Sequence, residues 1–544
     1  MDLLKENQKE VIEEALSRNM KGGGLSLPLG FGKTRVSVCL GLKHNKGPIL
    51  VVLSLTLLAS WLDEIPKAFG EDFPFEVMHK KQLKQKYGTW VIDSKTRLVL
   101  TTPDVLGDTY KEYNIETMFL NYIPPKNFGP TILEYVNPTA PILPHHVGPG
   151  HLFSTEWGCL IIDEIQNSNN ILTDKCRAIS CIFAHHRWGL SGTMFDEPKM
   201  ERFLGYYTML NLAGPRTLPT MKEYMYKVFR GFKQHLVHRE TNVEFKNRPK
   251  YIEKIITHDL DDTELALFTC SKEVLKSLNT IIKEKKEDKD TEGVRTFNAY
   301  KLAMITYVRQ FLICPIIPIS SIYCDVADFS ERSELSNILT DKFRSLKLDS
   351  WLDNEENMLS SRFKSILAKI EDHKNDHILI FSCFRTTITL FQHILDKKGY
   401  TTFTIGSSMS SQERKNVIHK FQTSEKGILL LPYSIGAEGL NLQKASVVML
   451  MDLWWNSSKI QQAIGRAFRP GQMAAEINVY IFIGNTGMEK TLIEKNDFKK
   501  RILDELQTGR TKLKLPKLTM SQIMSIVLSE SNGKYLKTIR SEYN

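Results

Sequence analysis

The stretch "CLIIDEIQNSNN", residues 159–170, places four consecutive apolar residues directly before two carboxylates. Apolar residues on successive positions, not alternate ones, are typical of a strand that is buried on both faces. Asp163 and Glu164 would then lie at the exposed carboxyl end of that strand, where α/β sheets bind ligands. A lone Asp-Glu pair after a strand is also a common helix N-cap, so the neighbouring sequence must decide between the two readings.

Similar apolar runs recur in two groups along the chain. The first group is 48–53, 97–102, 159–164 and 187–193, and the second is 377–382, 401–405, 427–431, 447–451 and 477–483. Helical sequence lies between the runs, which favours parallel strands joined by helices. We therefore predict an α/β fold with two parallel-sheet lobes and a helical insertion between them.

The sequence between the two groups has a different character. Residues 262–350 carry long helical patterns, and the mixed-charge run 283–292 reads as a solvated helix end or loop. We predict a first lobe over 1–215 with an irregular insertion at about 107–155. This lobe is followed by a linker and helical insertion region over 216–360, a second lobe over 361–500 and a basic C-terminal tail over 501–544.

Composition narrows the class of protein. The chain has 544 residues, 42% of them hydrophobic and 25% charged, and a formal net charge of +10. This modest surplus permits a nucleic-acid partner without requiring one. None of the 8 cysteines form a C-x-x-C pair, which predicts reduced thiols and no zinc site. The N-terminus does not resemble a signal peptide, and we expect a soluble, intracellular, monomeric protein with no membrane contact.

The stretch "LPLGFGKT", residues 27–34, predicts a phosphate-binding loop. Glycines at 30 and 32 allow a tight turn that aims N–H groups at phosphate oxygens. Lys33 would supply a positive charge to the β- and γ-phosphates, and the Thr34 hydroxyl would ligate Mg²⁺. Asp163 would hold the same Mg²⁺, and Glu164 would polarise the attacking water. A chance Gly-Lys-Thr in a surface turn is the alternative for the loop alone.

A third segment, "QQAIGRAFRPGQ", residues 461–472, carries two arginines one helical turn apart. That spacing places Arg466 and Arg469 on one face of a helix. Two clustered guanidinium groups suit a polyphosphate, and one could act as an arginine finger from the second lobe. An ordinary basic helix face would be the preferred interpretation if the segment stood alone.

Taken in order, these segments resemble a superfamily 2 helicase core and, more narrowly, the Swi/Snf-type ATP-dependent DNA translocases. The resemblance covers roughly residues 5–500 and implies RecA-like lobes. The N-terminal stretch 3–12 resembles the Q motif, and 27–34 resembles motif I, whose first Gly is often absent in superfamily 2. Six further stretches resemble family motifs. Residues 47–69, with Trp61, resemble motif Ia, 97–106 motif Ib, 161–170 motif II, 187–198 motif III and 378–395 motif IV, and residues 408–422 resemble the segment after motif IV.

The most specific match is residues 429–472, which resemble motifs V and VI and include "WWN" and "R-x-x-R-x-G-Q". This sequence departs from the family at several positions, namely Leu27, Pro28, Leu53, Ser54, Gln166, Gly465 and Phe468. It shows no RING, bromodomain or chromodomain. A compact core of this kind also resembles enzymes that large DNA viruses encode.

The resemblance implies ATP and Mg²⁺ as cofactors and a cleft between the lobes that closes on ATP. The nucleotide-binding residues that it implies are Gln8, Leu29, Gly30, Phe31, Gly32, Lys33, Thr34, Gly439 and Gln462. It implies catalytic roles for Lys33, Asp163, Glu164, Arg466 and Arg469, and metal ligation by Thr34 and Asp163.

Double-stranded DNA is the partner that the resemblance implies. The expected DNA contacts are Ser54, Thr101, Thr102, Ser382, Arg414, Ser434 and Trp455. Small hydroxyls suit phosphates and not base edges, which predicts little sequence preference. For Thr102 and Ser434 an ordinary strand-end cap is the alternative, and for Trp455 it is core packing.

The preferred function is a DNA-dependent ATPase that translocates on duplex DNA and remodels or displaces bound complexes such as a nucleosome or a polymerase. It would act in chromatin remodelling, DNA repair or transcription, in the nucleus or a viral replication compartment. A strand-separating helicase is a second interpretation. A non-catalytic DNA-binding scaffold with a decayed ATPase site is a third, favoured by Leu27, Pro28, Gly465 and Phe468.

Overall fold

The computed structural model describes residues 4–28, 30–79, 92–112, 115, 152–194, 200–212, 231–239, 249–319, 355–406, 409–436, 442–455, 457–468, 472–494 and 496–497. The chain divides into two units at residues 246 and 247. Each unit has its own parallel sheet, which confirms the predicted α/β class with two parallel-sheet lobes. Among the described residues, no helix is both long and apolar enough to cross a membrane.

The first unit is built on a parallel sheet with strand order β3-β4-β2-β5-β6-β1-β7. Its strands are β1 (Gly22–Ser26), β2 (Ile49–Val52), β3 (Phe75–Met78), β4 (Leu98–Thr101), β5 (Trp157–Asp163), β6 (Ala184–Ser191) and β7 (Leu236–His238). Its helices are α1 (Glu6–Ser17), α2 (Lys33–His44), α3 (Leu55–Phe69), α4 (Pro103–Glu112), α5 (Asp174–Ser180) and α6 (Met200–Met209).

The strands β2, β4 and β5 are buried along nearly their whole length, as their continuous apolar sequence predicts. Strand β1 is different, because it reads Gly-Gly-Gly-Leu-Ser and yet lies between β6 and β7. A Cβ on Gly22 would lie 2.4 Å from the Arg187 carbonyl oxygen, and one on Gly23 would lie 2.1 Å from that of His235. Glycine is therefore required here for close backbone packing.

The second unit contains a parallel sheet with strand order β10-β11-β9-β12-β13-β8. Its strands are β8 (Lys250–His258), β9 (His377–Ser382), β10 (Thr402–Thr404), β11 (Gly427–Pro432), β12 (Val447–Leu450) and β13 (Glu476–Gly484). Its helices are α7 (Asp262–Glu287), α8 (Thr291–Phe311), α9 (Ser361–Asp372), α10 (Arg385–Lys397), α11 (Ser411–Thr423), α12 (Tyr433–Gly436) and α13 (Ser457–Ile464).

Helices α7 and α8 form a long hairpin that belongs to the second unit. Their buried faces share one apolar cluster with Met488 and Trp455 of that unit. The mixed-charge run forms the end of α7, a short turn and the start of α8, with Asp290 as the N-cap of α8. Lys285 pairs with Asp290 across the turn at 3.0 Å. The run is thus a helix end and loop, as its charge pattern predicts.

The domain boundaries read from the sequence differ from this division. The predicted linker and insertion region, 216–360, contains β7, which pairs with β1, and β8, which pairs with β13. Each sheet therefore draws one strand from that region. Most of the predicted insertion at 107–155, and the tail at 501–544, lie outside the described residues.

A stacked pair of histidines in the first unit makes its stability depend on pH. The rings of His44 and His186 are stacked with centroids 3.5 Å apart, and the Trp188 indole N–H donates to His44 Nε2 at 3.3 Å. Burial, and then His186, lower the pKa of His44 to about 4. In the unfolded chain His44 binds a proton below about pH 6.5, whereas in the folded protein it stays neutral down to about pH 4. The free energy of unfolding therefore falls as the pH drops from about 6.5 towards 4.

We expect His44→Gln to reduce this pH dependence, because the amide oxygen still accepts the Trp188 hydrogen bond but does not titrate. The measurement is the melting temperature of the first unit between pH 4.5 and 7.5 for both proteins. Parallel curves for the wild type and the variant would show that other groups set the pH dependence.

Candidate nucleotide-binding site

The loop between β1 and α2 has the backbone geometry that phosphate binding requires. Gly30 and Gly32 have φ of 81° and 85°, in the left-handed region that favours glycine. Helix α2 begins at Lys33, so its N-terminal N–H groups and positive dipole end lie directly after the loop. Thr34 is buried in the first turn of this helix. Leu29 lies outside the described residues.

Gln8, on α1, forms a hydrogen bond with the backbone of the phosphate loop. Its Nε2 donates to the Phe31 carbonyl oxygen at 2.6 Å, and its Oε1 accepts from the Lys5 N–H at 3.0 Å. A Cβ on Gly32 would lie 2.4 Å from Gln8 Nε2, so a larger residue there would displace the amide. The structure thus brings Gln8 and Phe31 to the loop, and their contact with a nucleotide stays a prediction.

The three residues predicted to do the chemistry on the first lobe lie together. Asp163 is the last residue of β5, and Glu164 follows it with a left-handed φ of 46°. The Lys33 Nζ lies 3.9 Å from Glu164 Oε1. The helix after the phosphate loop and the end of β5 therefore present one cation and two carboxylates to the same point.

The Asp163 carboxylate is held from two sides. Its Oδ1 accepts the Glu164 backbone N–H at 3.0 Å, and its Oδ2 accepts the Trp61 indole N–H at 2.8 Å. Desolvation, followed by the neighbouring Glu164 carboxylate, raises the pKa of Asp163 to about 6, against the lowering effects of Lys33 and Trp61. A bound cation would reduce the electrostatic repulsion between these two neighbouring carboxylates.

A buried glutamine completes the surroundings of Glu164. Gln166 Nε2 donates to Glu164 Oε2 at 2.5 Å, and Gln166 is 1% exposed. Arg202, on α6, donates to the Gln166 carbonyl oxygen at 3.1 Å and to Asn169 Oδ1 at 2.7 Å. The sequence predicted no site role for Trp61, Gln166 or Arg202, although Trp61 belongs to the stretch that resembles motif Ia and Gln166 is a departure from the family. Trp61 and Arg202 reach the site from segments distant in sequence, whereas Gln166 lies two residues after Glu164.

The donor chemistry of this site fits Mg²⁺ bound together with phosphates. Asp163 and Thr34 offer a carboxylate and a hydroxyl, and Mg²⁺ prefers oxygen ligands, few of them from protein, with phosphates and waters completing the shell. Within the described ranges, no group of three or more His, Cys, Asp or Glu residues could hold a metal ion. A carboxylate and a hydroxyl are the kind of protein ligands that suit an ion bound together with the phosphates of a nucleotide.

The site residues predicted on the second lobe are described within their own unit. Arg466 is 3% exposed, and its carbonyl oxygen accepts the Leu442 N–H at 3.2 Å. Gln462 is buried on α13. Arg469 and Gly439 lie outside the described residues. Ile464 and Ala467, on either side of Arg466, belong to the apolar cluster of the second sheet, and the catalytic role of this arginine stays a prediction.

The hydroxyls predicted to contact DNA from the first unit lie at the carboxyl ends of the neighbouring strands β2 and β4. Ser54 is the N-cap of α3, and its Oγ lies 2.8 Å from Thr56 Oγ1. Thr101 donates to the Met78 carbonyl oxygen at 3.1 Å, and Thr102 Oγ1 accepts the Val105 N–H at 3.4 Å. Thr101 and Thr102 are buried, so their hydroxyls serve internal hydrogen bonds, and the capping alternative describes Thr102 here.

The predicted DNA contacts of the second unit are unlike one another. Ser382 is fully buried, and its Oγ accepts the Phe384 N–H at 3.2 Å. Ser434 is exposed on α12, and Arg414 is half-buried on α11. Ser434 and Arg414 thus keep some surface for a partner.

Trp455 packs between the second sheet and the helical hairpin. It joins the apolar clusters of both. The Arg309 guanidinium, from α8, lies 4.9 Å from the Trp455 ring centroid and donates to the Leu453 carbonyl oxygen at 2.7 Å. This is the core-packing alternative, although half-buried Trp455 keeps some exposed surface.

Comparison with known proteins gives two family matches. Residues 7–304 match the SNF2-related domain, and residues 361–471 match the helicase conserved C-terminal domain. Protein CHROMATIN REMODELING 24 of Arabidopsis thaliana is 23% identical over 519 residues, which cover 88% of this chain and 44% of that protein. The chain thus spans less than half the length of this plant relative.

A viral relative is closer in length. Protein 172L of Invertebrate iridescent virus 6, whose name describes it as a helicase, is 23% identical over 575 residues, which cover 93% of this chain and 89% of that protein. A solved structure of the Sulfolobus solfataricus SWI2/SNF2 ATPase core in complex with dsDNA covers 93% of this chain and 93% of its own, with 20% identity and a TM-score of 0.36.

Proposed function

The chain belongs to the SNF2-related family and carries its helicase-like ATPase core, and we propose that it translocates on double-stranded DNA at the expense of ATP. It displaces or remodels protein–DNA complexes such as a nucleosome or a polymerase, without sequence specificity. The observation that carries the proposal is the cluster of Lys33, Asp163 and Glu164 beside a glycine-rich loop. That cluster is what phosphoryl transfer to water requires of a protein.

Each residue of the cluster has a role that follows from its position. The N–H groups at the start of α2 and the Lys33 ammonium bind the phosphates. Thr34 and Asp163 hold Mg²⁺, and Glu164, 3.9 Å from Lys33, orients the attacking water and takes its proton. ATP is the substrate that donates the phosphoryl group, and Mg²⁺, held by Thr34 and Asp163, would neutralise the charge that develops on it.

The second unit contributes the remaining predicted groups. Arg466 and Arg469 are proposed to stabilise charge on the γ-phosphate, and Gly439 and Gln462 to contact the nucleotide. Removing an arginine of this type costs about 10³- to 10⁵-fold in kcat in other phosphoryl-transfer enzymes. The RecA-like resemblance and the family match support these roles.

The nucleic-acid partner is proposed on chemical grounds. A net charge of +10, the exposed Ser434 hydroxyl and the half-buried Arg414 guanidinium suit a phosphate backbone. A relative named for chromatin remodelling and a solved SWI2/SNF2 core with dsDNA are consistent with this partner. The protein would then act as a monomer in the nucleus or a viral replication compartment.

Steady-state ATP hydrolysis by the full chain tests the proposal, without nucleic acid and then with single- or double-stranded DNA. We expect duplex DNA to stimulate hydrolysis strongly. We expect Lys33→Ala to abolish ATP hydrolysis, because the phosphate loop loses its cation. DNA binding measured in parallel should persist in the variant.

The alternatives predict other results. A strand-separating helicase would displace one strand of a forked duplex, whereas a translocase would displace a triplex-forming strand and leave the duplex intact. A decayed scaffold would bind DNA and hydrolyse no ATP under any condition. The preserved proximity of Lys33 and Glu164 argues against decay.

A further inference from the structure

Trp61 is buried on α3 and donates its indole N–H to Asp163 Oδ2 at 2.8 Å. We propose that Trp61 is a positioning residue for the metal-binding carboxylate, holding Asp163 in the orientation that receives a nucleotide-bound divalent cation. The inference rests on the proposed ATPase function. It assigns to Trp61 a task beyond core packing.

The two donors on Asp163 define the plane of its carboxylate. An ionised carboxylate has about four acceptor positions, two on each oxygen. The Glu164 N–H uses one on Oδ1 and the Trp61 N–H uses one on Oδ2. One acceptor position on each oxygen is therefore left for a cation, and rotation of the carboxylate would break both hydrogen bonds.

The chemical nature of the donor matters. An indole N–H is neutral, so it orients the carboxylate without cancelling the charge that attracts the cation. A Lys or Arg at this position would form an ion pair with Asp163 and compete with Mg²⁺. The nearby cation, Lys33, lies 3.9 Å from Glu164 Oε1, and its charge also lowers the pKa of Asp163. The indole thus orients Asp163 without adding a second positive charge beside it.

The indole itself cannot shift easily. Trp61 is 2% exposed and belongs to the apolar cluster that includes Leu53 and Ile161, from the segments leading to the site. Leu55, on the same helix, is 53% exposed, so α3 has an inner and an outer face, with Trp61 on the inner one. A donor fixed by close packing confines its partner more tightly than a surface side chain would.

The test compares Trp61→Phe with the matched control Trp188→Phe. Both tryptophans lie in one apolar cluster and both donate an indole hydrogen bond, but Trp188 donates to His44, away from the site. Mn²⁺ binding is measured by electron paramagnetic resonance on the full chain with ADP, and ADP binding is measured without metal. We expect Trp61→Phe to weaken Mn²⁺ affinity by about 10- to 100-fold, as loss of an outer hydrogen bond does in other metal sites.

Metal-free ADP binding should be unchanged in both variants, and Trp188→Phe should bind Mn²⁺ like the wild type. Replacing Trp61 with benzothienylalanine, which keeps the shape and lacks the N–H, gives the same comparison without a cavity. Mn²⁺ affinity within about twofold of wild type in that variant would overturn the proposal and leave Trp61 a packing residue. If Trp61→Phe weakens Mn²⁺ binding but duplex DNA does not stimulate ATP hydrolysis by the wild type, the result counts against the translocase proposal and not against the role of Trp61.

Discussion

Glu164→Gln is expected to lower kcat for ATP hydrolysis by about 10²- to 10⁴-fold, the range that a positioned general base contributes. The amide keeps the size of the side chain and removes its ability to take a proton from water. Glu164 follows β5, 3.9 Å from Lys33 and 2.5 Å from Gln166 Nε2, so its carboxylate is held on both sides. Nucleotide affinity should fall little, because the phosphate loop is untouched.

The measurement is single-turnover hydrolysis with duplex DNA, together with binding of a fluorescent ATP analogue. Glu156→Gln is the matched control, since Glu156 is a carboxylate of the same unit that pairs with His185 at the surface. Hydrolysis by Glu164→Gln within about threefold of wild type would show that another group activates the water. If Glu164→Gln loses nucleotide binding, Glu164 contributes to binding ATP before the reaction and not to the chemical step.

Most strands that the sequence predicted have apolar residues on consecutive positions, although the runs 187–193 and 401–405 are interrupted by polar residues or glycine. All nine are present, and the buried run before Asp163 is β5. The four that went unnoticed lack this signal. Strand β1 is mostly glycine, β3 and β7 each contain a charged or polar residue (Glu76 and His238), and β8 is largely exposed along its length. Close backbone packing and an edge position, which only the tertiary fold supplies, explain β1 and β8.

The same distinction applies to the site. Asp163 and Glu164 could be predicted because they follow an apolar run, and α/β sheets bind ligands at the carboxyl ends of their strands. Lys33 could be predicted from the Gly-Lys-Thr pattern of a phosphate-binding loop. The hydrogen bond from Trp61 to Asp163 joins residues far apart in sequence, and it depends on how α3 packs against the sheet. The buried hydroxyl of Thr101 illustrates the converse, since a Thr at a strand end reads as exposed until its partner, the Met78 carbonyl, is known.

Arg362→Met is expected to destabilise the second unit by about 3–5 kcal/mol, the cost of breaking a buried ion pair from one side. Arg362, on α9, is 1% exposed. Its guanidinium donates to Glu489 Oε2 at 2.5 Å and to the Met451 carbonyl oxygen at 3.0 Å. Glu489 Oε2 also accepts the Gly484 N–H at 2.7 Å, so one network joins α9 to the ends of β12 and β13. Peptide-resolved hydrogen exchange should show β12 and β13 losing about 10²-fold protection or more.

Lys369→Met is the matched control, because Lys369 lies on the same helix and pairs at 2.6 Å with Asp372, whose side chain is exposed. Exposed pairs contribute about 0–1 kcal/mol, so its exchange should match the wild type. Adding Glu489→Leu to Arg362→Met removes the uncompensated buried charge and should restore part of the lost protection. Equal exchange in Arg362→Met and Lys369→Met would mean that apolar packing alone fixes α9, because the buried charge left on Glu489 would then cost nothing measurable.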